Sequence, residues 1–298
     1  MTTTSLPAQA ATPAAHPARP MHVRVRRALR RHPTLHLGVL ILVLLALAAL
    51  LAPWLASADP LQIDPLMRMK PPSAEYWFGT DALGRDVYAR AIWGTRVSLT
   101  VGLSVALVAT VIGTTLGLLA GYFRRLDAPI MRVMDGLMAI PGVLLAIALM
   151  SILKGGLGTV ILAIVVPEVP RVVRLVRALV MTLREQPYVE AARCVGTRTF
   201  GILTRHILPN LFAPLMVQAT FVAASAILSE AVLSFLGVGI PPQIPSWGNI
   251  MAEGRNFVAI AFHIILYPGL LLGLTVLAIN LVGDGLRDML DPRLARKL

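Results

Sequence analysis

The residues whose types and spacing best suit a chemical task lie in one stretch, 188–210, which reads Tyr-Val-Glu-Ala-Ala-Arg-Cys-Val-Gly-Thr-Arg-Thr-Phe-Gly-Ile-Leu-Thr-Arg-His-Ile-Leu-Pro-Asn. Glu190 to Val195 reads as a short helix with Ala191 and Ala192 side by side. Gly196 ends it, because glycine takes the left-handed conformation at low cost. A second, amphipathic helix is expected to carry Phe200, Ile202, Leu203 and Ile207 before Pro209 opens an apolar run. Two short helices meeting at a glycine, beside small residues, form a knob that can dock in a groove and transmit motion. That is mechanical chemistry rather than bond making.

Residues for bond making are scattered. His16, His22, His32, His36, His206 and His263 show no ligand spacing. Cys194, the single cysteine, excludes an intrachain disulfide and a cysteine-based metal cluster. The chain has no H-E-x-x-H and no G-x-S-x-G. It also lacks G-x-x-x-x-G-K-[ST]: none of Lys70, Lys154 and Lys297 follows a glycine, so ATP finds no phosphate-cradling loop here. Two carboxylates stand near or inside apolar runs, where an ionised group costs about 2.5–3.5 kcal/mol. Asp135 sits near an inner end with Arg132 as an expected partner, while Glu230 suits either solute contact or helix–helix pairing. Asp81, Arg85 and Asp86 read as a local ion cluster that fixes an outer segment.

The elements that must position these residues are membrane helices. The 298 residues are 56% hydrophobic and only 14% charged, too little charge to cover the surface of a soluble domain. The formal charge of +12 flanks apolar runs and forms no aromatic-interleaved stripe, which argues against a nucleic-acid partner. About 20 apolar residues cross a bilayer as helix. Six spans are expected, at roughly 36–57, 98–121, 134–153, 157–178, 211–236 and 262–283. In the fourth, Glu168, Arg171 and Arg174 occupy the second half, which is expected to emerge as helix into the cytoplasm.

Residues 1–22 read as a disordered cytoplasmic tail, followed over 23–97 by a basic juxtamembrane segment, the first transmembrane helix and an outer segment. The basic run, apolar run and Ala56-Ser57-Ala58 also fit a cleaved signal peptide, but the charge-free stretch is long enough to cross the bilayer and more spans follow. Residues 98–285 are expected as the five-helix core and 286–298 as a cytoplasmic tail. The basic residues orient the bundle. With both termini inside, only Arg68, Lys70, Arg85, Arg90, Arg96, Lys154 and Arg255 of the 27 lysines and arginines fall outside. Gly113, Gly117 and Gly121 put a bare stripe on the second span and Gly269 and Gly273 on the sixth, suited to close helix approach.

Glu190-Ala191-Ala192, three residues, Gly196, and then Leu208-Pro209 resemble the EAA loop of ABC importer permeases, with Ile207 one place later than the family pattern. Phe78-Gly-Thr-Asp-Ala-Leu-Gly-Arg-Asp-Val87, Pro245-Ser-Trp-Gly-Asn249 and the run from Gly283 to Arg293 are similar to signatures of the dipeptide/oligopeptide/nickel permeases, specifically the second permease of the pair. The resemblance covers about residues 36–296 and implies an all-α type I importer permease fold.

It further implies that Glu190, Ala191, Ala192, Gly196, Leu208 and Pro209 form the loop that couples to the ATPase. A helix-dipole role for Glu190 is compatible with this. Trp247 and Asn249 would meet a substrate-binding protein, Trp247 alternatively sitting in an interfacial belt. Arg171, Arg174, Arg177 and Arg184 suit the ATPase, lipid phosphates or positive-inside anchoring. The implied partners are a homologous second permease, two ATP-binding subunits that hold ATP and Mg²⁺, an extracytoplasmic binding protein and membrane lipid. This chain itself would hold no cofactor and act by alternating access. A secondary transporter or channel would need an ionisable relay or discontinuous helices. Peptides, nickel complexes and other small solutes all remain compatible as cargo.

Overall fold

The computed structural model describes residues 33–290 apart from Ser57, Lys154 and Gly155. The expected tail at 1–22, the basic segment that follows it and the last residues of the C-terminal tail lie outside the described residues. In lipid every backbone polar group must be satisfied internally. Accordingly the described residues are helical, with one isolated bridge, Thr80–Asp86, in the outer segment. The helices are α1 (Pro33–Leu50), α2 (Ala52–Leu55), α3 (Val87–Tyr122), α4 (Arg124–Met138), α5 (Gly142–Ile152), α6 (Leu157–Leu183), α7 (Pro187–Cys194), α8 (Thr199–Gly201), α9 (Leu208–Phe235), α10 (Trp247–Gly254) and α11 (His263–Leu290).

The most extensive packing is α3 on α6, and the glycine stripe explains it. A Cβ added at Gly113, Gly117 or Gly121 would lie 2.5, 2.6 or 2.7 Å from the Cβ of Val172, Val176 or Val180. Each valine thus occupies the space a glycine vacates, and the two backbones close over three successive turns. The valines are fully buried, in the same core as Val101, Val105 and Ala109 of α3. Helix α9 packs across α3, and α11 joins α9 to α1. Gly38 and Gly285 seat α1 on α11, since a Cβ at Gly285 would come within 2.7 Å of Leu35 Cβ. Gly269 and Gly273 do not repeat this inside the chain: Gly273 has nothing within 4 Å of its Cβ position and Gly269 only Met251 Sδ at 3.6 Å.

The expected spans require correction. Among the described residues four helical stretches are long and apolar enough to cross a membrane: Pro33–Leu50, Val87–Tyr122, Thr199–Phe235 and His263–Leu290. The expected third span is not one helix, because α4 and α5 meet at 90°, and counting that bent pair gives up to five. Pro141 causes the break: it cannot donate a helical hydrogen bond, and it drives Ile140 out of the α region. The expected fourth span runs on as α6 to Leu183 without a break, and its charged half keeps it from meeting the same test. The second begins eleven residues before the expected start, where Asp86 caps α3 by accepting from the Tyr88 N–H at 2.9 Å. That helix runs through the boundary expected at 97–98.

Candidate functional site

The expected coupling loop is a knob with one foot in the core. In α7 only Val189 is buried, while Glu190, Ala191, Arg193, Cys194 and Val195 are exposed. The Gly196 N–H donates to Arg193 O at 2.9 Å and the Thr197 N–H to Ala192 O at 3.0 Å, the paired bonds of a Schellman cap. That cap needs left-handed backbone at Gly196, whose φ is +83°. On either side of the glycine, Val195 is 86% exposed and Phe200 77%, so the tip is apolar and open. The Arg193 guanidinium sits 5.5 Å from the Tyr122 ring centroid and holds α7 against the end of α3.

The second half of the loop departs from the sequence expectation. Thr199 to Phe235 is one continuous helical stretch, and Pro209 lies within it rather than at the opening of a new span. Residues Ile202–Ile207 are π-helical, and the Leu208 N–H reaches back to Leu203 O. Proline clashes with the carbonyl four residues back and supplies no N–H, and a widened turn at its N-terminal side relieves both defects. Ile202 and Ile207 are buried, so Ile207 serves as an anchor despite its shifted position. Leu208 is half-buried and Pro209 exposed. From Thr199 on, the loop is therefore continuous with α9.

On the opposite side, buried charges tie the outer segment to α3 and α10. Asp81 accepts from Arg85 Nε at 2.7 Å and from Arg90 Nη1 at 2.5 Å. Glu253 of α10 accepts from Arg90 Nη1 at 2.6 Å and Nη2 at 3.1 Å, and pairs with Arg85 as well. Two arginines and two carboxylates neutralise one another, with Arg90 fully buried and only its Nε unpartnered among the described residues. Sequence reading found Asp81 and Arg85 but missed Arg90 and Glu253. The Asp86–Arg90 spacing hints at Arg90, whereas no local pattern reveals a partner 163 residues away.

Trp247 and Asn249 are not surface contacts. Trp247 is fully buried; its ring N–H donates to Ala91 O at 3.0 Å, and its Cδ1 would lie 3.1 Å from a Cβ at Gly94. Asn249 is buried too, its side-chain amide donating to Ile240 O at 3.0 Å and Ile244 O at 3.1 Å. Asn249 braces the turn after α9 from within, and Trp247 seats α10 on α3. Glu230 is fully buried as a joint between helices, accepting from Ser234 Oγ at 2.9 Å on α9 and Ser98 Oγ at 3.3 Å on α3.

The α6 arginines are bound mostly to this chain. Asp135 pairs with Arg174 at 2.6 Å rather than with Arg132, because α4 folds back along α6. Arg177 forks onto both oxygens of Asp127 at 2.5 and 2.7 Å, and Arg184 Nη1 donates to Gly121 O at 2.8 Å. Higher on α6, Glu168 is buried rather than emerging, and it accepts from Ser225 Oγ of α9 at 2.7 Å. It borders an open cavity of about 320 Å³ lined by the α4–α5 break, α6 and α9.

Among the described residues the fold is built of helices, several of them long and apolar enough to cross a membrane, which is the architecture of a membrane permease. Residues 113–296 match the family model of the binding-protein-dependent transport system inner membrane component, and residues 22–72 match the N-terminal transmembrane domain of oligopeptide transport permease C. The chain belongs to this family of inner-membrane permeases. It is 57% identical to a probable peptide ABC transporter permease protein of Sinorhizobium fredii, over 93% of this chain and 94% of that one. It is 45% identical to the di/tripeptide transport system permease of Pseudomonas aeruginosa, over 86% and 87% of the two chains. A glutathione transport system permease of Pectobacterium atrosepticum is 43% identical over 90% of each. Among solved structures, an inward-facing MetNI methionine ABC transporter superposes with a TM-score of 0.56 at 20% identity, over 66% of this chain and 95% of that one. That likeness is one of fold, the type I importer permease fold. Permeases of this kind work with ATPase subunits, a permease partner and a substrate-binding protein.

Proposed function

We propose that this chain is one of two homologous permeases in a peptide importer, moving di- or oligopeptides inward by alternating access. The observation that carries the reading is the knob: an exposed apolar tip at Val195 and Phe200, set by the Gly196 cap and continuous through the π turn with α9. A push on Glu190–Gly196 passes across the short capped turn at 195–198 into a helical stretch that runs on as a membrane helix. Two ATP-binding subunits, holding ATP and Mg²⁺ between them, would receive the two knobs in surface grooves. Their closure would rock the bundles from inward- to outward-open. The names of the relatives support peptides as cargo.

In the same reading the chain crosses the membrane six times with both termini inside. The bent pair α4–α5 serves as the third crossing. Helix α6 serves as the fourth, its valine face covered by α3 rather than by lipid.

The test is peptide-stimulated ATP hydrolysis and uptake in vesicles, with the subunits encoded beside this chain. Glu190→Ala and Phe200→Asp are compared with the unaltered protein. Phe200 is exposed, so its replacement leaves the fold intact and acts on docking. Losing one interface anchor of about 1.4–2 kcal/mol should lower both readouts roughly 10- to 30-fold while the chain stays in the membrane. Uptake that persists without nucleotide would replace this account with an uncoupled transporter.

A further inference from the structure

We infer that the cavity at the α4–α5 break is a transit site for the primary ammonium group of the solute, with the Glu168 carboxylate as its contact. This rests on the peptide-import reading, since a peptide with a free N-terminus carries such a group. Glu168 is 5% exposed in the interior of α6, where a carboxylate is costly unless well paired. Its pairing is incomplete. Oε1 accepts from Ser225 Oγ at 2.7 Å, but the cationic partner, Arg171 Nη1, stands back at 3.3 Å from Oε1 and 3.4 Å from Oε2. Charge-assisted N–H···O contacts of full strength measure about 2.7–2.9 Å. The arginine side chain is itself 57% exposed, so it is a loose counter-ion that an incoming cation can displace. Among the described residues Oε2 has no other partner, and Glu168 lines the cavity.

The surroundings fit a small polar solute. A volume of about 320 Å³ is at the lower end of ligand sites, which favours a short peptide or one terminal residue of a longer one. Ser225 and Ser229 supply hydroxyls, and Leu137, Val143, Ala146 and Leu233 supply apolar wall. The wall is preformed: a Cβ at Gly142 would stand 3.3 Å from Pro167 Cβ, so the start of α5 rests on α6 beside Glu168. An ammonium lodged here gains an ionic hydrogen bond in place of the long Arg171 contact. Such a site is strong enough to receive the solute and weak enough to release it when the bundle rocks.

The experiment uses the complete transporter in vesicles, energised by ATP, with a short peptide bearing a photoactivatable diazirine on its N-terminal residue. After illumination, labelled fragments are mapped by mass spectrometry for the wild type, Glu168→Gln and Arg171→Ala, with the amount of assembled complex measured for each. Glutamine keeps the shape and the Ser225 bond but removes the charge. Wild type should label at 137–146 or 225–233. Losing a charge-assisted bond should cut that labelling about tenfold in Glu168→Gln, and Arg171→Ala should raise it. Equal labelling of those fragments in Glu168→Gln, or labelling elsewhere alone, would overturn the inference and leave peptide import standing. If the wild-type transporter neither takes up the peptide nor hydrolyses ATP in response to it, the peptide reading falls and the inference with it.

Discussion

Arg90 shows how much one buried side chain can hold. It reaches two carboxylates that lie far apart in the chain, so its removal leaves the buried Asp81 and the partly buried Glu253 sharing Arg85. Breaking such a network at one partner costs about 3–5 kcal/mol. Arg90→Ala is therefore expected to lower the thermal unfolding midpoint of the detergent-solubilised protein well below that of an exposed control, Arg96→Ala. Arg90→Lys should recover only part of the loss, because a lysine ammonium lacks the planar fork by which Arg90 gives Glu253 two bonds. At Gly196 the constraint is backbone rather than charge. A φ of +83° disfavours every residue with a Cβ, least of all asparagine. Solute-stimulated ATP hydrolysis should hence survive better in Gly196→Asn than in Gly196→Val. Equal activity in the two would mean that the cap does not shape the docking surface.

At the scale of elements, the α3–α6 contact is a zipper with three teeth. Gly117→Val would set a branched side chain where a Cβ alone lies 2.6 Å from Val176 Cβ, so the helices must part or slide. Overpacking of this kind costs about 1–3 kcal/mol. Val176→Ala, harmful alone through the cavity it leaves, should rescue part of the Gly117→Val loss when the two are combined. The readout is the fraction of monodisperse protein surviving a heat step. Additive losses would show that the glycine and valine do not share one space. Much of this element was legible in sequence: glycines four apart in an apolar run mark a close-approach face. The partner was not. Valines four apart on α6 look like ordinary apolar periodicity, and only the docking of the two helices pairs them.

For the whole molecule, orientation is the prediction that organises the rest. Cys194 is the single cysteine and is exposed on the knob. A membrane-impermeant maleimide should label it in inside-out vesicles and not in intact cells or right-side-out vesicles. In a Cys194→Ser background, Leu66→Cys, at an outer position 86% exposed, should show the opposite pattern. Labelling of both positions from one side would overturn the arrangement with the knob inside and the charge latch outside.

What the sequence by itself determined was local or compositional. Apolar runs and scarce charge dictate membrane helices, and the E-A-A-x3-G spacing produces a short helix with a glycine cap. Tertiary structure alone decided which charges meet. Arg85 and Arg90 find Glu253, Asp135 finds Arg174, and Glu168 turns inward against Ser225. Tertiary structure also buried Trp247 and Asn249, which a linear reading placed at the outer surface. The physical reason is common to all of these. Helix periodicity and capping act over a few residues and leave a pattern, whereas pairing across a bundle depends on how whole helices pack, and no spacing along the chain encodes it.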